Sequence, residues 1–168
     1  MRNLFVVYGD VLSDKLLYLA DVIAMPAYGG SMKPHDELTE RFFELSGRQK
    51  LERAIAEKYG NEPMQHGEVR KIIGGELIEA TLFVNSAYTP LWSIEKEPEI
   101  EKRIIVGYHN AVTVAGVLGY KSILLPYFGA SLSDEENKKM IRRINQLLIR
   151  LTNRRNIDIY FVLPEYLA

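Results

Sequence analysis

The pattern of apolar and polar residues changes period several times along the chain, which is typical of alternating strands and helices. The first apolar run, Leu4–Tyr8, ends at a glycine and predicts a buried strand that is covered on both faces. A second run over residues 22–27 predicts another strand. Between them, residues 13–19 predict one or two helical turns, with Ser13 as the N-cap.

A charged stretch with helical spacing follows. Asp36 is the predicted N-cap, and the apolar residues that share one face of this helix are Leu38, Phe42 and Leu45. Gly47 interrupts the spacing, which then resumes over residues 51–59 and ends at Gly60 as a C-cap. The pattern fits either two helices or one bent helix. Residues 69–73 and 77–84 then predict two strands, joined by a tight hairpin turn at Gly74 and Gly75.

The second half of the chain predicts helices and strands in alternation. These elements are a helix from Pro98 to Gly119, a strand over residues 122–125, a helix that begins after Ser133, and a strand over residues 157–163. Ser133 and Glu136 have the spacing of a capping box. Strands separated by helices of about 15 to 20 residues predict an α/β sandwich whose sheet is covered on both sides.

Composition narrows the class of protein. The chain has 168 residues, of which 47% are hydrophobic and 26% are charged, and a formal net charge of -1. These values predict one globular domain over residues 1–168. Since the sequence has no cysteine, it excludes disulfides and thiolate metal sites, and it fits the reducing cytoplasm, where we expect the protein. No stretch approaches the roughly 20 apolar residues that a membrane span needs.

Candidate chemistry lies at the strand ends, because ligands of open α/β sheets bind beyond the carboxyl ends of the strands. Three such ends carry glycine or other small residues, at positions 9–11, 26–31 and 126–132. His66 and His109 have no further ligands at metal-binding spacing, so we predict neither a metal nor another cofactor.

Four short motifs occur in a distinctive order. They are Tyr-Gly-Asp-Val at residues 8–11, Ala-Asp-Val-Ile-Ala-Met-Pro-Ala at 20–27, His-Gly-Glu-Val at 66–69 and Lys-Ser-Ile-Leu-Leu-Pro at 121–126. Across nearly the whole chain this order resembles the macro domain family. The resemblance implies a three-layer α/β/α sandwich with a mixed sheet of about six strands. It also implies binding of ADP-ribose. Some members of the family hydrolyse ADP-ribose esters, ADP-ribosyl proteins or ADP-ribose 1''-phosphate.

The resemblance also implies roles for particular residues. Asp10 would accept a hydrogen bond from the adenine amino group, and Val11 would line the same pocket. The second strand end contributes Ala27, Tyr28, Gly29, Gly30 and Ser31. This end departs from the family, which has asparagines where Met25 and Tyr28 stand here and a longer glycine loop. Tyr28 either contacts a ligand through its ring or hydroxyl, or simply fills the pocket.

The third strand end keeps only part of the family pattern. Small residues that would hold phosphates remain in the loop formed by Gly129, Ala130, Ser131 and Leu132. However, serine replaces the central glycine, and Ser133 stands where an aromatic ring would lie. Three carboxylates at residues 134–136 would also oppose a phosphate at this helix start. The sequence leaves phosphate binding at this loop open.

Two further features have alternative interpretations. His35 and Asp36 are candidates for a catalytic base, or else a helix cap beside an exposed histidine. The final helix and its exit are rich in basic residues, namely Lys138, Lys139, Arg142, Arg143, Arg150, Arg154 and Arg155. We interpret them as a solvated face rather than a nucleic-acid surface.

The leading hypothesis is therefore a macro-domain-like protein that binds ADP-ribose or a related nucleotide-derived small molecule. Any enzymatic activity would be hydrolysis or dephosphorylation of ADP-ribose-linked substrates, and the altered second and third strand ends predict little of it. The alternative is a degenerate, non-catalytic macro fold that acts as an interaction or structural module. The sequence does not predict an oligomeric state.

Overall fold

A computed structural model describes residues 2–86, 99–128 and 132–168, with Glu99 described by its backbone alone. The strands are β1 (Leu4–Tyr8), β2 (Val22–Pro26), β3 (Val69–Ile73), β4 (Ala80–Val84), β5 (Ser122–Pro126) and β6 (Asp158–Leu163). The helices are α1 (Asp14–Leu19), α2 (Glu37–Ser46), α3 (Arg48–Tyr59), α4 (Glu99–Val117) and α5 (Asp134–Arg155). Short 3₁₀ turns lie at Tyr28–Gly30 and Glu165–Leu167. Pro98, the predicted start of the helix that ends at Gly119, lies outside the described residues.

The strands form one six-stranded sheet in the order β1-β6-β5-β2-β4-β3. All neighbouring strands are parallel except β3, which is antiparallel to β4. The carboxyl ends of β1, β6, β5 and β2 therefore meet at the same edge of the sheet. The predicted mixed sheet is confirmed.

Two hydrophobic cores lie on opposite faces of this sheet. Successive side chains of β2 point to opposite faces, so this strand contributes to both cores. Val22 and Ala24 pack in the core that contains α4 and α5. Ile23 and Met25 pack in the core that contains α1, α2 and α3. The result is the expected three-layer α/β/α sandwich. In the described parts of the chain, no helix is both long enough and apolar enough to cross a membrane.

Most predicted helix boundaries agree with the structure. Gly47, with a φ of 81°, separates α2 from α3, so the interrupted pattern gives two helices rather than one bent helix. Ser133 and Glu136 form the predicted capping box: the Glu136 amide donates to Ser133 Oγ at 3.2 Å and the Ser133 amide donates to Glu136 Oε2 at 3.3 Å. Local sequence rules determine helix ends well because the caps use neighbouring residues.

The prediction that β1 is covered on both faces is wrong. β1 lies at the edge of the sheet, and Phe5, Val6 and Tyr8 are 40%, 40% and 47% exposed. A continuous apolar run is typical of a strand, but it does not distinguish a central strand from an edge strand, which has only one neighbour.

Two smaller predictions in the first half are also corrected. Leu45 is half-exposed, and Phe43 occupies the core in its place, because the buried face of α2 is centred on Phe42 and Phe43. The predicted tight turn at Gly74 and Gly75 is instead a longer connection to β4, which begins at Ala80 rather than at residue 77. Within it, the Glu76 amide donates to the Ser46 carbonyl at 2.9 Å, which ties the connection to the end of α2.

Candidate functional site

A small cavity of about 190 Å³ lies at the carboxyl ends of β1, β2, β5 and β6. We call it the strand-end cleft, and its walls include Asp10, Val11, Tyr28, Asp36, Leu38, Pro126 and Tyr127. Parallel strands that end at one edge of a sheet bring most of these residues together from distant parts of the sequence, and the start of α2 adds Asp36 and Leu38. The structure thus places Asp10, Val11 and Tyr28 around one cleft.

The turn after β1 holds the Asp10 side chain at the cleft. The Gly9 amide donates to the Leu163 carbonyl at 2.9 Å, and the Leu12 amide donates to Asp10 Oδ1 at 3.0 Å. The side chain of Asp10 remains 47% exposed. Its carboxylate is therefore fixed by the backbone and also accessible from solvent.

Arg41 is a neighbour of Asp10 that the sequence analysis missed. From α2 it donates Nη2 to Asp10 Oδ2 at 2.8 Å and Nη1 to Asp10 Oδ1 at 3.2 Å. The hydrogen bond from Arg41 is the main cause that lowers the pKa of Asp10, and burial partly opposes it. The only hint in the sequence is that Arg41 follows Leu38, a cleft residue, by one helical turn.

The end of β2 contributes apolar and aromatic groups. Met25 is fully buried in the core beneath α2 and α3 and is not part of the cleft wall. Ala27 is also fully buried, and its amide donates to the Val84 carbonyl at 2.7 Å. Tyr28 forms part of the cleft wall with only 8% of its surface exposed, and its ring lies edge-on to His35. This geometry favours the interpretation in which Tyr28 fills the pocket.

The residues after Tyr28 lead away from the strand-end cleft. Gly29, Gly30 and Ser31 line a separate cavity of about 650 Å³ beside α3. Arg48, which also lines this second cavity, donates to Glu40 and Glu44 at 2.5 and 2.6 Å. The structure therefore divides the predicted second strand end between two cavities.

Gly30 fixes the path of this turn. Its φ is 87°, and a Cβ added to it would lie 2.6 Å from the Met64 carbonyl oxygen. The Met64 amide in turn donates to the Gly30 carbonyl at 2.9 Å. The turn is packed too closely against residue 64 to accept a side chain at this position.

Gly129, Ala130 and Ser131 of the third strand end lie outside the described residues, but the chain that leads to them is held by a buried tyrosine. The Tyr108 hydroxyl donates to the Pro126 carbonyl at 2.6 Å and accepts from the Phe128 amide at 2.8 Å. Burial raises the pKa of Tyr108 well above its ordinary value, so the hydroxyl remains protonated and able to donate.

Asn137 holds the other side of that loop. Its Nδ2 donates to the Leu132 carbonyl at 3.0 Å, and its Oδ1 accepts from the Tyr127 hydroxyl at 2.6 Å. Leu132 itself is buried with the core around α5. Because Tyr127 lines the strand-end cleft, Asn137 also fixes one wall of the cleft.

The two catalytic candidates lie near the cleft. Asp36 is the N-cap of α2, where its Oδ1 accepts from the Thr39 amide at 3.0 Å and from the Thr39 hydroxyl at 2.8 Å. His35 Nε2 lies 3.3 Å from the Ser31 carbonyl oxygen. The Asp36 carboxylate is therefore engaged in capping the helix, although it also forms part of the cleft wall.

Two other predictions concern charged residues and metals. Most basic side chains of α5 are exposed, and Arg143 forms an ion pair with Glu101 of α4. Among the described residues, no group of three or more His, Cys, Asp or Glu side chains is placed to hold a metal ion.

Comparison with known proteins gives matches in structure but not in sequence. No family model matches the sequence, and no curated protein matches it. A mutant of the Oceanobacillus iheyensis macrodomain with ADPR superposes with a TM-score of 0.74 at 17% identity, over 98% of this chain and 86% of that chain.

Two other solved structures agree. The Trypanosoma brucei macrodomain in complex with ADP-ribose has a TM-score of 0.72 at 13% identity, over 96% of this chain and 63% of that one. The macro domain of ganglioside induced differentiation associated protein 2 has a TM-score of 0.73 at 14% identity, over 99% of this chain and 82% of that one. At these identities the likeness concerns the fold. This chain therefore has the macrodomain fold.

Proposed function

We propose that this chain binds ADP-ribose or a related nucleotide-derived small molecule in the strand-end cleft, with adenine at Asp10 and Val11. The observation that carries the proposal is the position of the Asp10 carboxylate, exposed at the end of β1 beside Val11, Tyr28 and Tyr127. Structural neighbours from Oceanobacillus iheyensis and Trypanosoma brucei contain ADP-ribose in the same fold.

The chemistry of the β1 side suits a nucleobase. An ionised carboxylate accepts hydrogen bonds and does not donate them, and the amino group of adenine donates. Asp10 is ionised at neutral pH, because the hydrogen bond from Arg41 lowers its pKa below the ordinary value of 3.8. Two tyrosines in the cleft wall, Tyr28 and Tyr127, supply flat apolar surface of the kind that small-molecule pockets use.

The space that the cleft leaves at the end of β2 favours a ligand smaller than a complete ADP-ribose. At about 190 Å³ the cleft formed by the described residues is smaller than the roughly 300–1,000 Å³ typical of ligand pockets. Tyr28 occupies the space at this end, and the Met25 side chain is buried in the core. We therefore infer that a nucleoside monophosphate binds as well as ADP-ribose, and that ADP-ribose is released slowly or not at all from modified proteins.

The alternative, a non-catalytic interaction module, has one observation in its favour. β1 is an edge strand with the exposed apolar residues Phe5, Val6 and Tyr8. Edge strands of this kind pair readily with other chains unless charges or prolines prevent it. A protein of this class would bind partners through β1 and show no affinity for nucleotides.

Calorimetric titration with AMP and ADP-ribose tests the proposal. We expect binding by the wild-type protein, and a loss of about 1–3 kcal/mol in Asp10→Ala, the scale of a hydrogen bond to a charged group. Asp14→Ala, which removes an exposed carboxylate four residues away, is the matched control and should bind as the wild type does. Absence of heat with every nucleotide would reject the proposal in favour of the interaction module.

A further inference from the structure

The ion pair between Asp10 and Arg41 changes what the cleft offers to a nucleobase. The two guanidinium nitrogens contact the two carboxylate oxygens separately, at 2.8 and 3.2 Å, so the groups lie as a bidentate pair. The side chains of Arg41 and Asp10 are 45% and 47% exposed. Both groups of the pair are therefore accessible from solvent, and Arg41 lies directly beside a carboxylate that forms part of the cleft wall.

The two oxygens of Asp10 differ in how many further hydrogen bonds they can accept. Asp10 Oδ1 already accepts from the Leu12 amide and from Arg41 Nη1. Within the described part of the chain, Oδ2 accepts from Arg41 Nη2 alone, which leaves it one further lone-pair direction. Arg41 has five N–H donors, of which the two contacts to Asp10 use two. The pair thus presents a free acceptor, Oδ2, beside free donors.

This arrangement matches one kind of base edge. On its N6–N7 edge adenine presents the amino donor beside the N7 acceptor, so the amino group can donate to Asp10 Oδ2 while Arg41 donates to N7. Hypoxanthine has an oxygen in place of the amino group, and its O6 and N7 are both acceptors. On that edge the base would give Asp10 Oδ2 no donor, because the N1–H group of hypoxanthine lies on the other side of O6.

We infer that Arg41 is a specificity-determining residue, which reads the base together with Asp10 and selects a 6-aminopurine over a 6-oxopurine. The inference rests on the proposed function, because it assumes that the base lies at Asp10. It goes beyond that function by assigning two-point recognition to an ion pair rather than recognition of the amino group by a carboxylate alone.

Variants at Arg41 should fold, because exposed ion pairs contribute little to stability. The experiment is calorimetric titration of AMP and IMP into the wild-type protein, Arg41→Ala and Arg41→Lys. Arg53→Ala removes an exposed arginine from α3 and is the matched control. AMP and IMP carry the same phosphate, so their affinity ratio isolates recognition of the base.

We expect the wild type and Arg53→Ala to prefer AMP to IMP by about tenfold, the scale of one well-formed pair of hydrogen bonds to a base. Arg41→Ala should weaken AMP binding and reduce this ratio severalfold. Arg41→Lys should also reduce it, because an ammonium group does not reproduce the planar bidentate geometry.

Three results would overturn the inference. If Arg41→Ala bound AMP more tightly with an unchanged ratio of AMP to IMP affinity, Arg41 would only compete with the base for the Asp10 carboxylate. Equal losses for AMP and IMP would mean that Arg41 attracts the phosphate that both ligands share. In both cases the proposed function would stand. If the wild type bound neither AMP nor ADP-ribose, the proposed function would fail together with the inference.

Discussion

The ends of β1 and β2 lie on the same cleft but have different chemistry. At β1 the Asp10 carboxylate is about half-exposed, ionised and held by backbone hydrogen bonds. At β2 Met25 is fully buried and Tyr28 nearly so. Under the proposed function each strand end contributes its own part of the ligand site, because the turn after each strand is built locally. One part can therefore keep a recognition group while its neighbour becomes part of the core.

The two turns are also stabilised differently. The β1 turn depends on hydrogen bonds to the backbone, such as that from the Gly9 amide to Leu163. The β2 turn also has backbone hydrogen bonds, and in addition Gly30 packs closely against Met64. Substitutions should therefore reduce mainly ligand affinity at β1 and mainly stability at β2.

Gly30→Ala should have the largest effect on stability. The new Cβ would lie 2.6 Å from a backbone oxygen, at a φ of 87° that alanine rarely adopts. We expect the free energy of unfolding to fall by about 2–4 kcal/mol, as measured by denaturant titration. Gly29→Ala is the control, since its φ is also positive but no atom lies within 4 Å of the added Cβ. Equal losses in both variants would show that packing does not distinguish Gly30.

Tyr28→Asn should make the β2 side of the cleft more open and more polar, as the β1 side is. Removal of the buried ring enlarges the cleft and introduces an amide, at an expected cost of about 1–3 kcal/mol in stability. We expect the affinity for ADP-ribose to rise relative to that for AMP, measured by calorimetry on the folded variant. If the ratio does not change, Tyr28 does not limit the size of the ligand.

The smallest expected effect is on the titration of Asp10. Arg41 lowers its pKa below the ordinary value of 3.8, so the ion pair stabilises the folded state above about pH 4 and this contribution is lost as the pH falls through the folded-state pKa. For an exposed pair we expect less than about 1 kcal/mol. An NMR titration of the Asp10 carboxyl should show the lowered pKa and its return toward 3.8 in Arg41→Ala. A pKa unaffected by that substitution would contradict the geometry.

Much of the fold could be predicted from the sequence, because strand and helix periodicities and caps are local properties. The neighbourhood of Asp10, Val11 and Tyr28 follows from a general rule, since parallel strands end at one edge of a sheet. Their role in ligand binding remains a prediction. The exposure of β1 could not be predicted, because an apolar run does not reveal the position of its strand in the sheet.

The missed parts of the site depend on tertiary packing. Arg41 meets Asp10 across 31 positions of sequence, and this contact depends on how α2 docks beside the β1 turn. The separation of Gly29, Gly30 and Ser31 from the strand-end cleft depends on the packing of their turn against residue 64 and α3. Neither arrangement has a sequence spacing that would indicate it.

The central claim is that the cleft binds a nucleobase at Asp10, while Tyr28 fills the distal part, where the ribose of ADP-ribose farther from adenine would lie. The most direct test is the ratio of two affinities in the wild-type protein. Calorimetric titration should give dissociation constants for AMP and ADP-ribose that agree within about threefold, because the distal ribose gains no contact at Tyr28. The binding free energies of the two ligands should therefore differ by less than about 0.7 kcal/mol. Binding of ADP-ribose about a hundredfold tighter than that of AMP would contradict the account, since the distal part of the site would then have to be intact.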